Sequence, residues 1–213
     1  MKLLDLFCGA GGAGMGYHRA GFEVVGVDCQ PQPRYPFEFH QADAFAYLEQ
    51  HGHEFDVIHA SPPCQAYSRA TANPSAHPDL VAATRLALQG IGKPFVIENV
   101  EGAPLHFPIT LCGTMFDLSA PLDALHLRRH RQFESPQLVL SPGGCSCRQV
   151  STAQVTGSLH SKNQNGKRHR KPSIANAKQM MGIDWMDKHE LVQAIPPAYT
   201  EWIGQQLRKA VGR

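Results

Sequence analysis

LDLFCGAGGAGMGYHRAGF, residues 4–22, decides the fold. An apolar run, Leu3 to Phe7, stops at glycines, which is how a buried strand gives way to a loop. Gly12 to Ala20 then carries a helical pattern, and Phe22 to Asp28 (FEVVGVD) reads as a β-branched strand closing on an acid. Gly9, Gly11 and Gly14 have the G-x-G-x-x-G spacing, with Asp28 about 20 residues further on. Missing side chains let a ligand approach the backbone, and a strand-end acid can accept from two ribose hydroxyls. The stretch therefore points to an adenosine-containing cofactor. The same glycines also serve ordinary tight turns, and the spacing alone does not choose the ligand.

Working outward, Pro31, Pro33 and Pro36 predict an extended loop. Ala42 to Gln50 reads as a helix, Phe55 to Ala60 (FDVIHA) as a third strand, and Asp79 to Gly90 as a helix stopped by Gly90-Ile-Gly92. Pro94 to Glu98 (PFVIE) is a fourth strand. Alternating strands and helices predict an α/β fold: a Rossmann-like doubly wound, mostly parallel sheet in a single domain spanning 1–213. From residue 136 to 172 the character changes to a loop-rich basic insertion. Within it, SKNQNGKRHRK (161–171) holds five Lys or Arg and no acid. Asn176 to Arg213 is helical again, with Pro196-Pro197 opening a final amphipathic helix.

A chain of 213 residues, 42% hydrophobic, buries a sizeable core and is not disordered. Net charge is only +2, so no partner follows from the total. No apolar run reaches membrane-spanning length. MKLLDLFCGAGG enters a strand directly, without the apolar stretch and cleavage site of an export signal. The six cysteines (8, 29, 64, 112, 145, 147) are thus expected to be reduced thiols in a cytoplasm. Cys145-Ser-Cys147, with His160 and His169, lacks the usual two-to-four-residue zinc gap, and no metal is expected.

In open α/β sheets the ligand-bearing loops follow the carboxyl ends of strands. Asp43, next to a helix start, is placed to accept from an adenine amino group. Ser61-Pro-Pro-Cys64-Gln-Ala-Tyr-Ser68 follows the third strand. Its two prolines stiffen the backbone before a cysteine, which suits display of a nucleophile better than core packing. Glu98, at the end of an apolar strand, is partly desolvated, so its raised pKa fits it to donate a proton. A turn-capping carboxylate is the plainer reading of the same residue. Leu127-Arg-Arg-His-Arg131 alone reads as a solvated basic face.

DLFCGAGG, Asp28, Asp43, PPCQAYS, Glu98-Asn99-Val100, Arg129-His-Arg131 and QAIPPAYTEWIG (193–204) occur in one order. In that order they resemble the DNA cytosine-5 methyltransferases over nearly the whole chain. The resemblance implies S-adenosyl-L-methionine in the glycine loop and methyl transfer to carbon 5 of cytosine. Cys64 would be the nucleophile at carbon 6, Glu98 the acid facing N3 and the exocyclic amine, and Arg129 and Arg131 the groups holding the base oxygen. Phe7, Gly9, Gly11, Gly12, Asp28, Asp43, Pro63, Ala194 and Ile195 would surround the cofactor. Gln65 and Ser68 would face the nucleic acid. The target base would be flipped out of the duplex.

Two departures from that pattern matter. Gln193 stands where the family usually has Asn. In place of a large target recognition domain only about 40 residues separate Arg131 from the C-terminal helices, too few for a core without staples. Lys162, Lys167, Arg168, Arg170 and Lys171 are then expected to grip phosphates, with a partner protein as another source of specificity. The chain is expected to act on DNA as a monomer. RNA is the rival substrate, and a binder without catalysis is the rival class. An NAD-dependent dehydrogenase leaves Pro-Pro-Cys-Gln without a role.

Overall fold

The computed structural model describes residues 1–68, 71, 73–120, 125–156 and 172–212. The chain runs β1 (Lys2–Leu6), α1 (Gly12–Arg19), β2 (Glu23–Asp28), β3 (Glu38–Gln41), α2 (Ala44–His51), β4 (Val57–Ala60), α3 (Val81–Ile91), β5 (Phe95–Asn99). There follow β6 (Ile109–Leu111), β7 (Ser119–Ala120), β8 (Leu125–Leu127), β9 (Arg131–Glu134), β10 (Thr152–Ala153), α4 (Ile174–Met181), α5 (Lys188–Gln193) and α6 (Pro197–Val211). Seven strands form one sheet in the order β3-β2-β1-β4-β5-β9-β6. The first five are parallel, and β9 and β6 extend the sheet antiparallel.

Side chains alternate across this sheet and each face buries one set. Leu3, Val24, Val57, Val96 and Phe133 pack with Tyr17 of α1 and Tyr199, Ile203 and Leu207 of α6. Leu4, Val25, Ile58 and Ile97 pack with Leu48 of α2 and Leu88 of α3. Helices thus cover both faces, as the α/β reading requires. Helices α1 and α6 cross closely because Gly16 has no side chain: a Cβ there would lie 2.0 Å from Thr200 Oγ1. Arg85 and Glu134 form a buried bidentate pair, with both N···O distances 2.7 Å, that ties α3 to β9.

Strand order reverses between β1 and β4, so their carboxyl ends open a crevice at the topological switch point. The glycine loop leaves β1 and the Pro-Pro-Cys loop leaves β4. The fold class agrees with the sequence expectation, with three local differences. The proline-rich stretch is followed by a strand, β3, a four-residue edge strand whose half-exposed EFHQ carries no apolar signal. The helix expected from Ala42 begins at Ala44, because the Asp43 carboxylate accepts from the Phe45 and Ala46 N–H groups and caps it. Residues 174–211 hold three helices, α4 starting at Ile174 behind its Ser173 cap.

A second, three-stranded sheet, β10-β8-β7, contains the described end of the insertion. Ala120, Leu127, Ala153 and Val155 there pack against Met180 and Met181 of α4. The five expected phosphate-gripping residues, Lys162 to Lys171, lie outside the described residues. No helix among the described residues is long and apolar enough to cross a membrane.

Candidate active site

The glycine loop is tied down from below and left open above. Phe7 adopts a left-handed conformation, φ 57°, costly for an aromatic residue and typical of functional turns. Its ring meets Phe45 edge-on at 6.0 Å. Asp28 Oδ2 accepts from the Gly9 N–H at 3.0 Å and Oδ1 accepts from Gln30 N–H at 2.9 Å, so the strand-end acid holds the loop it follows. Trp185 Nε1 donates to Ala10 O at 2.8 Å. At Gly9 a Cβ would meet nothing within 4 Å, whereas at Gly12 it would lie 2.5 Å from Ile195 O and 3.2 Å from Ala194 Cβ. The structure thus brings Ala194 and Ile195 onto the glycine loop. Open space over Gly9, the half-buried acid Asp28 and the ring of Phe7 fit the adenosyl and methionine parts of the expected cofactor. Asp43, exposed at the start of α2, uses Oδ1 for its cap and leaves Oδ2 for a ligand.

The Pro-Pro-Cys loop is braced by a residue the sequence reading left without a role. Asn99 is buried at the end of β5, where its Nδ2 donates to Pro62 O at 3.0 Å and its Oδ1 accepts from Val100 N–H. Beyond it the chain turns, with the Tyr67 and Ser68 N–H groups both bonded to Cys64 O. Tyr67 in turn donates to Asp79. Pro63 and Cys64 are half-buried at the crevice and Gln65 is exposed.

Glu98 is 6% exposed at the floor. Burial pushes its carboxyl above the usual range, while Arg131, Ser61 and Arg129 pull the other way. Arg131 Nε lies 3.1 Å from Glu98 Oε1, yet Oε1 has no well-directed hydrogen bond from any described residue. Behind Glu98 runs a buried chain. Tyr17 OH is 3.0 Å from His59 Nδ1, His59 Nε2 is 2.8 Å from Ser61 Oγ, and the Ser61 hydroxyl draws the Glu98 carboxyl downwards in pKa. Complete burial lowers His59 to about 3, so its ring is neutral. With the tyrosine donating to Nδ1, the ring proton sits on Nε2 and Ser61 accepts it. His59 and Ser61 were legible only as polar residues inside a buried run.

Cys64 lies in the field of Arg131, Glu98 and Arg129. Burial raises its pKa, and the Arg131 charge only partly offsets that effect. Arg129 is 5% exposed and donates to Val155 O at 2.8 Å and to Val192 O at 2.9 Å. Tyr199 OH donates to Arg129 O at 2.7 Å. Arg129 therefore joins the base-side segment to the insertion and to the turn before Ala194-Ile195. Arg131 donates to His130 O and faces Glu98. Cys64, Glu98, Arg129 and Arg131 are thus brought together. Gln193, at the end of α5, is exposed, with Nε2 3.5 Å from His189 Nδ1.

Residues 1–106 match the family model described as C-5 cytosine-specific DNA methylase. Over 77 residues the chain is 34% identical to the Type II methyltransferase M.FnuDI of Fusobacterium nucleatum, covering 33% of this chain and only 22% of that protein. A prophage-encoded DNA modification methyltransferase from E. coli matches at TM-score 0.62 and 15% identity, with 100% of both chains covered. The S. pombe Dnmt2 methyltransferase matches at TM-score 0.62 and 11% identity, again over 100% of both. These two likenesses show the fold, with its largely parallel central sheet. Together with the motif order, the family match over residues 1–106 makes this chain similar to the C-5 cytosine-specific DNA methylases, a family whose methyl donor is S-adenosylmethionine.

Proposed function

We propose that this chain transfers a methyl group from S-adenosylmethionine to carbon 5 of cytosine in DNA, with Cys64 as covalent nucleophile. The observation that carries the reading is the meeting of Cys64, buried Glu98 and Arg131 at the switch-point crevice, beside the open glycine loop. When bound, S-adenosylmethionine supplies an electrophilic sulfonium methyl. Phe7, Gly9, Gly11, Gly12, Asp28, Asp43, Pro63, Ala194 and Ile195 are the residues that would hold it.

Carbon 5 of cytosine is a poor nucleophile within the aromatic ring. The Cys64 thiolate forms a bond to carbon 6, and the ring electrons move towards N3, leaving carbon 5 enamine-like. Glu98, whose carboxyl burial pushes above the usual range, donates to N3 as that charge develops, and Arg131 stabilises the base oxygen. Carbon 5 would take the methyl group as the donor's methyl–sulfur bond breaks, the electron pair staying on sulfur to leave a neutral thioether. The carbon 5 proton then leaves to water, N3 returns its proton to Glu98, the carbon 6–sulfur bond breaks, and Cys64 departs as thiolate. The protein adds fixed donors.

The insertion 136–172 is the proposed contact to nucleic acid within a single domain, with Lys162, Lys167, Arg168, Arg170 and Lys171 on phosphates and Gln65 and Ser68 near the base. Such contacts position without reading sequence. Neutralising Lys167, Arg168 and Arg170 together should flatten the salt dependence of binding by up to about 3 units of slope.

The test offers duplex DNA and RNA of one sequence to the full chain with labelled S-adenosylmethionine, and identifies the product base by mass spectrometry. 5-Methylcytosine in DNA, and a covalent adduct with 5-fluorocytosine DNA that Cys64→Ala abolishes, are the expected results. Methylation confined to RNA would replace the substrate, and residual turnover by Cys64→Ala would remove the covalent step.

A further inference from the structure

We infer that Cys112, His130, Cys145 and Cys147 form a structural zinc site that clamps the insertion onto the segment carrying Arg129 and Arg131. One potential ligand atom from each residue lies within 4.8 Å of all the others. His130 Nε2 is 3.5 Å from Cys145 Sγ and 3.6 Å from Cys147 Sγ. A tetrahedral zinc with bonds near ~2.3 Å to sulfur and ~2.0–2.1 Å to nitrogen sets sulfur–nitrogen edges of about 3.6 Å. The two separations of His130 Nε2 from Cys145 and Cys147 match those edges.

The backbone assembles the cluster. Strands β6 and β9 pair antiparallel, with Leu111 opposite Arg131, so the next residues outward, Cys112 and His130, face each other across the ladder. Cys112 is fully buried and begins the short helical turn Gly113–Phe116. Cys145 and Cys147 close over them from the insertion, with Cys147 only 8% exposed.

The surroundings are those of metal-bound thiolates and imidazole. His130 turns Nε2 towards the three sulfurs, while Nδ1 lies 3.2 Å from Glu101 Oε2. A carboxylate on the far ring nitrogen fixes the tautomer a metal needs and raises ligand basicity. Thr114 Oγ1 is 3.4 Å from Cys145 Sγ, and the Cys147 N–H donates to the same sulfur at 3.4 Å. All four coordination positions are filled by protein, the mark of a structural rather than a catalytic site.

The sequence hid the site. The one-residue gap between Cys145 and Cys147 breaks the usual spacing, and its expected companions, His160 and His169, lie outside the described residues. The ligands come instead from the end of β6 and the start of β9. The insertion is too short for a core of its own, and a metal supplies the missing staple. His130 separates Arg129 from Arg131, so the clamp also fixes the arginine segment. That consequence rests on the proposed methyl transfer; the metal site itself does not, and zinc content is read independently of activity.

The experiment uses the full chain, purified without chelator or histidine tag. Bound zinc is measured by mass spectrometry, and the reduced apoprotein is titrated with zinc against a colorimetric chelator. We expect one zinc per chain, three cysteines shielded from thiol reagents until chelator is added, and intense thiolate–metal absorption on cobalt substitution. Cys145→Ser/Cys147→Ser should lose the metal, whereas His130→Cys, which offers a fourth sulfur, should retain it. The wild-type measurements stand even where a variant fails to fold. Failure of the apoprotein to bind zinc, three freely reactive thiols in the untreated protein, or a Cys145–Cys147 disulfide in the purified chain would overturn the assignment.

Discussion

Arg131 Nε lies 3.1 Å from Glu98 Oε1 without making a well-directed hydrogen bond, and Arg131 and the Ser61 hydroxyl both oppose the rise that burial gives the same carboxyl. Oε1, which has no hydrogen-bond partner among the described residues, is left for a base. Glu98→Gln keeps size and hydrogen bonding but cannot give up a proton. Single-turnover methylation should slow by roughly 10²-fold or more, the scale of a positioned acid, with cofactor affinity little changed. An unaltered single-turnover rate would reduce Glu98 to a turn cap.

The Cys64 thiol should resist ionisation in the free protein, since burial raises its pKa above 9.0 and Arg131 offsets only part of that. Below the pKa, the thiolate fraction grows about tenfold for each pH unit. Alkylation of the Cys64 peptide, followed by mass spectrometry, should therefore rise steeply from pH 7 to 9 without levelling off. Arg131→Met removes the main favourable charge and should slow alkylation further at every pH in that range. A plateau near pH 7 would mean that the thiolate is already formed at rest.

Gly12 is where the beginning and end of the chain touch. A Cβ at Gly12 would lie 2.5 Å from Ile195 O and 3.1 Å from Ile195 N, both backbone atoms that cannot rotate away. Gly12→Ala must displace the Ala194-Ile195 turn, costing about 1–3 kcal/mol of stability, and should weaken S-adenosylmethionine binding in calorimetry. Gly90→Ala is the control: its Cβ would meet nothing within 4 Å. Equal cofactor affinity in wild type and Gly12→Ala would show that the turn is not part of the cofactor wall.

The five parallel strands differ in how plainly the sequence announces them. β1, β2, β4 and β5 are apolar runs bounded by glycine, proline or an acid, because helices bury both of their faces. β3 is half-exposed, and β6 and β9 are three and four residues of mixed polarity, stabilised by partners far away in sequence. Cys64 and Glu98 were legible because each follows or ends an apolar strand. His59, Ser61 and Asn99 act through hydrogen bonds that periodicity does not register. Arg129 read alone as a solvated basic residue, yet it is buried because the carbonyls of Val155 and Val192 receive its donors. The Cys112–His130 pairing depends on the register of β6 with β9, which no local pattern specifies.

Asp5, two residues before Phe7, is fully buried beneath the glycine loop. Burial raises its pKa to about 8, with Asp28 adding a smaller push and hydrogen bonds from Tyr35 and Gly14 opposing. Tyr35 OH donates to Oδ2 at 3.2 Å, while Oδ1 has no partner among the described residues. In the folded chain the carboxyl therefore holds its proton to about pH 8, whereas in the unfolded chain it loses it near 3.8. Between those values the folded state binds more protons, so this group makes stability fall as pH rises, by at most about 1.4 kcal/mol per pH unit. The penalty is absent below 3.8 and complete above 8. Asn at this position mimics the neutral form and can still accept from Tyr35. Asp5→Asn should match wild type in thermal midpoint near pH 5 or trail it slightly, and gain on it steadily towards pH 8. Parallel wild-type and mutant curves over that range, measured by thermal melts in matched ionic strength, would show that Asp5 is already charged in the folded protein.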